Sequence, residues 1–266
     1  MMQADAGFIK RSSQLPVVTI ISPMHNEAEN VAALISEIEA IRPALPQSEV
    51  ILVDDGSRDK TAELIVEHQQ SRPWLRLLQH AVAGGQSAAV HSGVRAARGQ
   101  IICTLDGDLQ NPPAEIPKMC APLLDASAAE TLGLVAGQRA RRQDTLSKRL
   151  ASRFANRLRA WVLKDATRDT GCGLKAFRRE AFLDLPFFNH MHRYLPALFA
   201  RAGWEVTHVD VAHRERSGGV SKYTNLQRAL VGASDLLGVA WLIARAKTAR
   251  AQEIVAPRAS NSKAAE

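Results

Sequence analysis

The stretch "QIICTLDGDLQNPP", residues 100–113, decides how this chain folds. Its first half, "QIICTLD", is apolar almost to its end, the pattern of a strand covered on both faces. Asp106 and Asp108 follow, two residues apart, where the strand leaves the core. Like charges at that spacing repel, and a carboxylate beside a core is costly to desolvate, so a compensating charge is required. A divalent cation supplies one: Mg²⁺ is commonly held by one or two carboxylates, with substrate phosphates and water completing its shell. Gln110 can add a neutral oxygen, and Pro112–Pro113 stiffens the exit from the loop.

Outward from this strand, the rest of the first half repeats one unit. "PVVTIIS" (16–22), "EVILVDD" (49–55) and "WLRLLQH" (74–80) read as strands. Between them, Val31, Leu34, Ile35, Ile38 and Ile41 recur at helical spacing until Pro43. "DKTAELIVEHQQ" reads as a second helix with Asp59 at its N-cap, and "QSAAVHSGVRAARG" as a third closed by Gly99. Such alternation predicts right-handed βαβ units on a mostly parallel sheet, whose ligands bind beyond the carboxyl ends of the strands. The polar residues fall there: Asn26 and Glu27, then Asp54, Asp55 and Ser57, then Gly84 and Gly85, then Asp106 and Asp108. Asp54 stands where an acid meets the ribose or base of a nucleotide, while Asp55 opens the turn "DGS". "AGGQSAAV" lacks both the dinucleotide and the Walker patterns. Further on, "TLGLVAG" (131–137), "CGLKAFRR" (172–179) and "WEVTHVDV" (204–211) read as strands, and 146–163 as a basic amphipathic helix.

With 266 residues, 46% of them hydrophobic and 23% charged, the chain suits one large globular domain with an appendage. Cys103, Cys120 and Cys172 have no metal-ligand spacing and cannot all pair, which points to a reducing compartment. Residues 1–15 lack the apolar core of a signal peptide and read as a flexible leader; 247–266 are small and polar and read as a disordered tail. The segment 224–246 is apolar but interrupted by Ser234, Asp235 and Arg245, so it reads as an amphipathic interfacial helix, a core helix or an oligomer contact. The net charge of +7 is concentrated: ten Lys/Arg lie between residues 138 and 168 against two Asp. That fits a phosphorylated substrate, a membrane surface or nucleic acid.

Five motifs, "PVVTIISPMHNEAENV", "VDDGSRDKT", "LDGDLQNPPAEIP", "DTGCGLKAFRR" and "RERSGGVSKY", together resemble family 2 glycosyltransferases of the polyprenyl-phosphate type, over about residues 16–223. The resemblance implies a GT-A, Rossmann-like catalytic domain over 16–223, flanked by helices, with a C-terminal helical appendage. It implies a UDP- or GDP-linked sugar donor, an Mg²⁺ or Mn²⁺ ion, and an undecaprenyl or dolichyl phosphate acceptor on the cytoplasmic face of the membrane. On the matching positions, Pro23, Asn26, Glu27 and Asp54 would bind nucleotide. Asp106 would face the ribose and diphosphate, and Asp108 with Gln110 the metal. Arg139, Lys148 and Ser152 would meet the acceptor phosphate. Arg216, Ser221 and Lys222 would form a loop closing over the donor, and Asp169 would support the site. Departures from the pattern are His25 where an aromatic often stands, "TGCG" (170–173) for the usual "TSGF", Gln86 where a lysine is common, and one additional residue in the lid loop.

The chemistry this resemblance implies is inversion at the anomeric carbon by a lipid phosphate. With a second pKa of about 6, such a phosphate is already largely anionic at pH 7 and needs no strong base. The metal, Arg216 and Lys222 would stabilise the departing diphosphate. Two other classes remain open on the residues alone. A nucleic-acid-binding protein would use the basic run but leaves the acids at four strand ends unexplained. A nucleotidyltransferase would need a glycine- and arginine-rich loop where "SPMHNEAEN" stands.

Overall fold

The computed structural model describes residues 15–139, 159, 162–163, 167, 169–214 and 225–247. The β-branched runs form β1 (Val18–Met24), β2 (Ser48–Asp54), β3 (Leu75–Gln79), β4 (Ile101–Thr104), β5 (Leu132–Arg139), β6 (Lys175–Arg178) and β7 (Glu205–Val211). They make one seven-stranded sheet in the order β3-β2-β1-β4-β6-β5-β7. β1 pairs parallel with β2 and β4, β2 with β3, and β5 with β7. β6 alone runs antiparallel, between β4 and β5. The sheet is thus mostly parallel, as expected, and "CGLKAFRR" contains the strand that reverses it.

Each strand sends alternate residues to opposite faces, and the sheet buries both. Ile20, Val50, Leu52 and Cys103 point to one side, where α1 (Ala28–Ile41), α2 (Thr61–Gln69) and α4 (Ile116–Leu124) cover them. Ile21, Ile51, Val53 and Ile102 point to the other, under α3 (Gln86–Ala96), α5 (Arg179–Leu183) and α6 (Leu195–Arg201). Fully buried residues such as Ile20, Ile21 and Leu52 each contribute roughly 1.5–3 kcal/mol of transfer free energy. All three cysteines are free and buried.

Two expectations about helix ends are corrected. Lys60, not Asp59, occupies the cap of α2; Asp59 sits one residue further out, accepting from the Thr61 N–H at 3.0 Å and the Ala28 N–H at 3.2 Å. That ties α2 to the start of α1. Helix α3 ends at Ala96, so Gly99 does not close it. Gly99 packs against β1 instead, where an added Cβ would lie 2.7 Å from Thr19 Oγ1.

Helix α7 (Asn225–Ala244) lies against the second face. His190 Nδ1 meets Asp235 Oδ2 at 2.9 Å, the Tyr194 hydroxyl donates to the Gly232 carbonyl at 3.3 Å, and Arg201 Nε donates to the Leu242 carbonyl at 2.8 Å. Val239 is buried there, beside Leu236, Ala240 and Ile243. Leu237 and Trp241, four residues apart and therefore on one helix face, are 72% and 61% exposed. Among the described residues, no helix is long and apolar enough to cross a membrane. Of the basic helix expected over 146–163, only residues 159, 162 and 163 are described, and these are helical. The leader up to residue 14 and the tail from residue 248 lie outside the described residues.

Candidate active site

The carboxyl ends of β1 to β4 are tied to one another by their own backbone. Asn26 adopts a left-handed conformation (φ 55°), its N–H donating to Ser57 Oγ at 2.9 Å and its Oδ1 accepting from the Arg58 N–H at 2.8 Å. Glu27 donates its N–H to Thr61 Oγ1 at 2.9 Å and accepts from Asn30 Nδ2. His25 Nδ1 lies 2.8 Å from the Asp55 carbonyl, which can only accept, so that nitrogen carries the proton and Nε2 accepts from Asn26 Nδ2. The first two loops are therefore one rigid unit.

Asp55 organises the third loop. Its carboxylate accepts from the N–H groups of Gly84 (2.8 Å) and Gly85 (2.7 Å) and meets His80 Nδ1 at 2.7 Å. Burial pushes its pKa up, but these hydrogen bonds outweigh that and bring it below the ordinary carboxylate value. The turn role read for Asp55 from "DGS" is thus widened: it anchors the glycine loop. Asp54, expected at the base, has no exposed surface, because it closes β2 between Met24 and Gln79. It accepts from the Ser57 N–H at 3.2 Å and from Gln79 Nε2 at 3.0 Å. It is Ser57 and Gln79, not Asp54 itself, that border the larger cavity described below.

Two cavities open along this edge. A larger one, about 850 Å³, is lined by His25, Asn26, Ser57, Arg58, Gln79 and the His80–Ala83 stretch. A smaller one, about 290 Å³, is lined by Pro23, Glu27, Asp55, Gln86, Asp106 and Asp108. His25 borders both. The structure thus brings together Pro23, Asn26, Glu27, Asp106 and Asp108 in adjoining spaces, as expected, with Asp54 behind the wall.

Asp106 is held from three sides. Gln86 Nε2 donates to Oδ1 at 2.7 Å and Asn111 Nδ2 to Oδ2 at 3.1 Å. An added Cβ on Gly173 would lie 2.2 Å from Oδ2, so only glycine fits behind the carboxylate. Burial, and then the charge of Asp108, raise the pKa of Asp106, against Lys175, Gln86 and Arg139, which lower it. Asp108 accepts from the Gln110 N–H at 3.2 Å. Gln110 itself is not in the cavity lining; its backbone braces Asp108 and accepts from the Arg214 N–H at 2.8 Å.

Arg139, expected at the acceptor phosphate, is engaged by Asp169: Nε to Oδ2 at 2.6 Å and a terminal nitrogen to Oδ1 at 2.7 Å. This fork raises the pKa of Arg139. Lys148, Ser152, Arg216, Ser221 and Lys222 lie outside the described residues. Sequence reasoning gave no role to Asn111, Gly173 or Lys175. Lys175 carried a signal, a lysine inside the apolar run "GLKAF"; Gly173 carried none, since its neighbour Asp106 lies in a loop distant in sequence.

The chain matches glycosyl transferase family 2 over residues 19–185. It is similar to an undecaprenyl-phosphate 4-deoxy-4-formamido-L-arabinose transferase of Pectobacterium carotovorum, 35% identical over 213 residues, which are 79% of this chain and 63% of that protein. A protein of the same description from Yersinia enterocolitica is 34% identical over 81% of this chain and 65% of its own length. The chain thus spans just under two thirds of these relatives. In three dimensions it resembles glucosyl-3-phosphoglycerate synthase from Mycobacterium tuberculosis, solved with Mn²⁺, UDP and phosphoglyceric acid (TM-score 0.63, 19% identity, 88% of this chain and 80% of that one). It also resembles a mannosyltransferase from Pyrobaculum calidifontis solved with GDP-mannose and Mn²⁺ (TM-score 0.61, 23% identity, 89% and 66%). The neighbours share the fold of this chain. Sheet order, the paired aspartates and a sequence match over most of the described sheet agree, and the chain belongs to glycosyl transferase family 2.

Proposed function

We propose that the protein transfers a sugar, with inversion, from a UDP- or GDP-linked donor to a polyprenyl phosphate at the cytoplasmic face of a membrane. The observation that supports this above all is the pair Asp106 and Asp108 facing a small cavity that adjoins a larger one at the carboxyl edge of the sheet. The larger space suits the nucleoside, between His25, Arg58 and Gln79; the smaller suits the diphosphate and the sugar. The curated relatives are named for transfer to undecaprenyl phosphate, which supports that acceptor class.

The residues present fit a divalent cation of the Mg²⁺ or Mn²⁺ kind. Among the described residues, no group of three or more His, Cys, Asp or Glu is arranged to hold a metal. Two carboxylates open to one cavity do suit a hard cation whose remaining ligands are phosphate oxygens and water. Asp106 and Asp108 would hold it, and when bound it would neutralise charge on the leaving diphosphate. The chain's own residues do the rest. Gln86 and Asn111 fix the Asp106 carboxylate, and the Asp55 clamp sets the glycine loop against it. No side chain is required as a base, since the acceptor phosphate is already an anion at neutral pH. His192 is unsuited to that role in any case: burial lowers its pKa to about 3. Lys148, Ser152 and the 215–222 loop complete the reading as acceptor and lid residues, with 16–223 as the catalytic unit.

The test is thermal unfolding with UDP or GDP, each with and without Mn²⁺. Nucleotide and metal together are expected to raise the Tm by several degrees more than the sum of each alone, because each completes the other's site. Nucleotide stabilisation that ignores Mn²⁺ would refute the metal reading.

Peripheral membrane binding is part of the same proposal. The exposed Leu237 and Trp241 sit on one face of α7, with Arg245 and Lys247 just beyond, and such a face enters the headgroup region while basic residues contribute about 1 kcal/mol each on anionic lipid. Replacing Leu237 and Trp241 together by Glu is expected to lower cosedimentation with anionic phospholipid vesicles about tenfold and to leave nucleotide binding unchanged. Unchanged sedimentation would rule the helix out as the membrane contact.

A further inference from the structure

Strand β6 carries a charge where a strand interior should be apolar. Lys175 is 3% exposed, between Leu174 and Ala176, which are fully buried. An ammonium in such a place costs several kcal/mol unless other charges and acceptors compensate it. Its Nζ donates to the Cys172 carbonyl, in the loop that carries Asp169 and Gly173. Across the ladder it pairs with Thr104, two residues before Asp106, and the Thr104 hydroxyl donates to the Gly173 carbonyl at 2.9 Å. Gly173 in turn packs directly on the Asp106 carboxylate. Lysine, loop and carboxylate are therefore parts of one packed unit. Desolvation lowers the pKa of Lys175, while the charges of Cys172, Asp106 and Asp169 raise it and Arg139 lowers it.

Arg139 and Asp169 already satisfy each other through two hydrogen bonds. Among the described residues, Lys175 is the buried lysine whose charge bears on Asp106, opposing the effect of Asp108. We propose that Lys175 is the built-in countercharge of the Asp106–Asp108 pair, so that a divalent cation binds the site weakly by itself and firmly only together with a nucleoside diphosphate. Lys175 touches neither substrate nor metal in this scheme; it is a positioning residue that acts through the field it imposes on Asp106. Its consequence is ordered loading: the cation arrives with, or after, the nucleotide, and leaves with it. The proposal rests on the metal reading given above.

The test separates charge from hydrogen bonding. Lys175→Gln keeps an N–H donor for the Cys172 carbonyl and removes the charge; Lys175→Arg keeps the charge; Lys175→Met removes both but suits the apolar surroundings. Mn²⁺ binding is followed by the electron paramagnetic resonance of the free ion, at constant pH and ionic strength, without nucleotide and with UDP or GDP. The Gln and Met variants are expected to bind Mn²⁺ alone roughly tenfold more tightly than the unaltered protein, with the enhancement by nucleotide reduced to match. The Arg variant should behave as the original. A purely structural lysine predicts the opposite sign, since loosening the loop would weaken Mn²⁺ binding. Should Gln fail to fold, Met carries the comparison, with melting curves establishing that the variant measured is native. Unchanged or weaker Mn²⁺ binding in a folded neutral variant overturns the role of Lys175 alone. Absence of Mn²⁺ binding by the unaltered protein, even with UDP and GDP, overturns the metal reading and this proposal with it.

Discussion

Asp108→Asn is expected to lower sugar transfer by about 10²–10³-fold while leaving the fold and the melting temperature close to those of the original protein, the range produced by loss of one preorganised charge-stabilising group. The substitution is a clean one for a structural reason. Asp108 Oδ1 accepts from the Gln110 N–H at 3.2 Å, and the amide oxygen of asparagine can accept the same bond. The loop therefore keeps its shape, and what disappears is a single negative charge facing the small cavity. Initial rates with saturating donor and a polyprenyl phosphate acceptor, taken alongside circular dichroism, check both halves. Near-normal turnover in the presence of Mg²⁺ or Mn²⁺ would remove Asp108 from the chemistry.

Gly173→Ala should produce a loss of similar size by a steric route. The new Cβ would stand 2.2 Å from Asp106 Oδ2 and 2.4 Å from both Cγ and Oδ1. No real Cβ tolerates such contacts, so either the carboxylate or the loop before β6 must move. The carboxylate cannot swing away without breaking its bonds to Gln86 at 2.7 Å and Asn111 at 3.1 Å. Overpacking of this kind destabilises by about 1–3 kcal/mol, and a misplacement of about 1 Å at a positioned group can lower a rate by 10²-fold. A drop in melting temperature together with a loss of kcat is the expected result. A variant with unaltered stability and turnover would show that the carboxylate is not confined as described.

The two variants probe residues with very different visibility in the sequence. Asp108 was legible because its partner is two positions away and both follow an apolar strand, so adjacency in sequence is adjacency in space. The strands themselves were legible for the same reason: a run such as "EVILVDD" is buried on both faces wherever the sheet places it. Gly173 and Lys175 depend on β6 running backwards between β4 and β5, and hydrophobic periodicity carries no information about strand direction. Asp54 and Asp55 show the limit most plainly. Neighbours in the chain point to opposite sides of a strand end; one is enclosed by β1 and β3 while the other grips the glycine loop. Gly99 was read as a helix stop from local chemistry alone, whereas its close approach to Thr19 comes from a strand eighty residues earlier. The pairing of Arg139 with Asp169 was hidden for the same reason: a bidentate fork between residues thirty apart is a tertiary event.

Helix α7 bears on how far the protein can be trimmed. Its inner side rests on the segment from His190 to Arg201, and that segment reaches the start of α3 through His192 Nδ1 and Ser87 Oγ, 2.7 Å apart. Ser87 adjoins Gln86, the residue that steadies Asp106. A shortened chain ending at the last strand would uncover the seat of Leu236, Val239 and Ile243 and leave that bracing segment without its outer support. Ending the chain at the last strand is therefore expected to lower the melting temperature, because the catalytic unit loses the helix that covers this face.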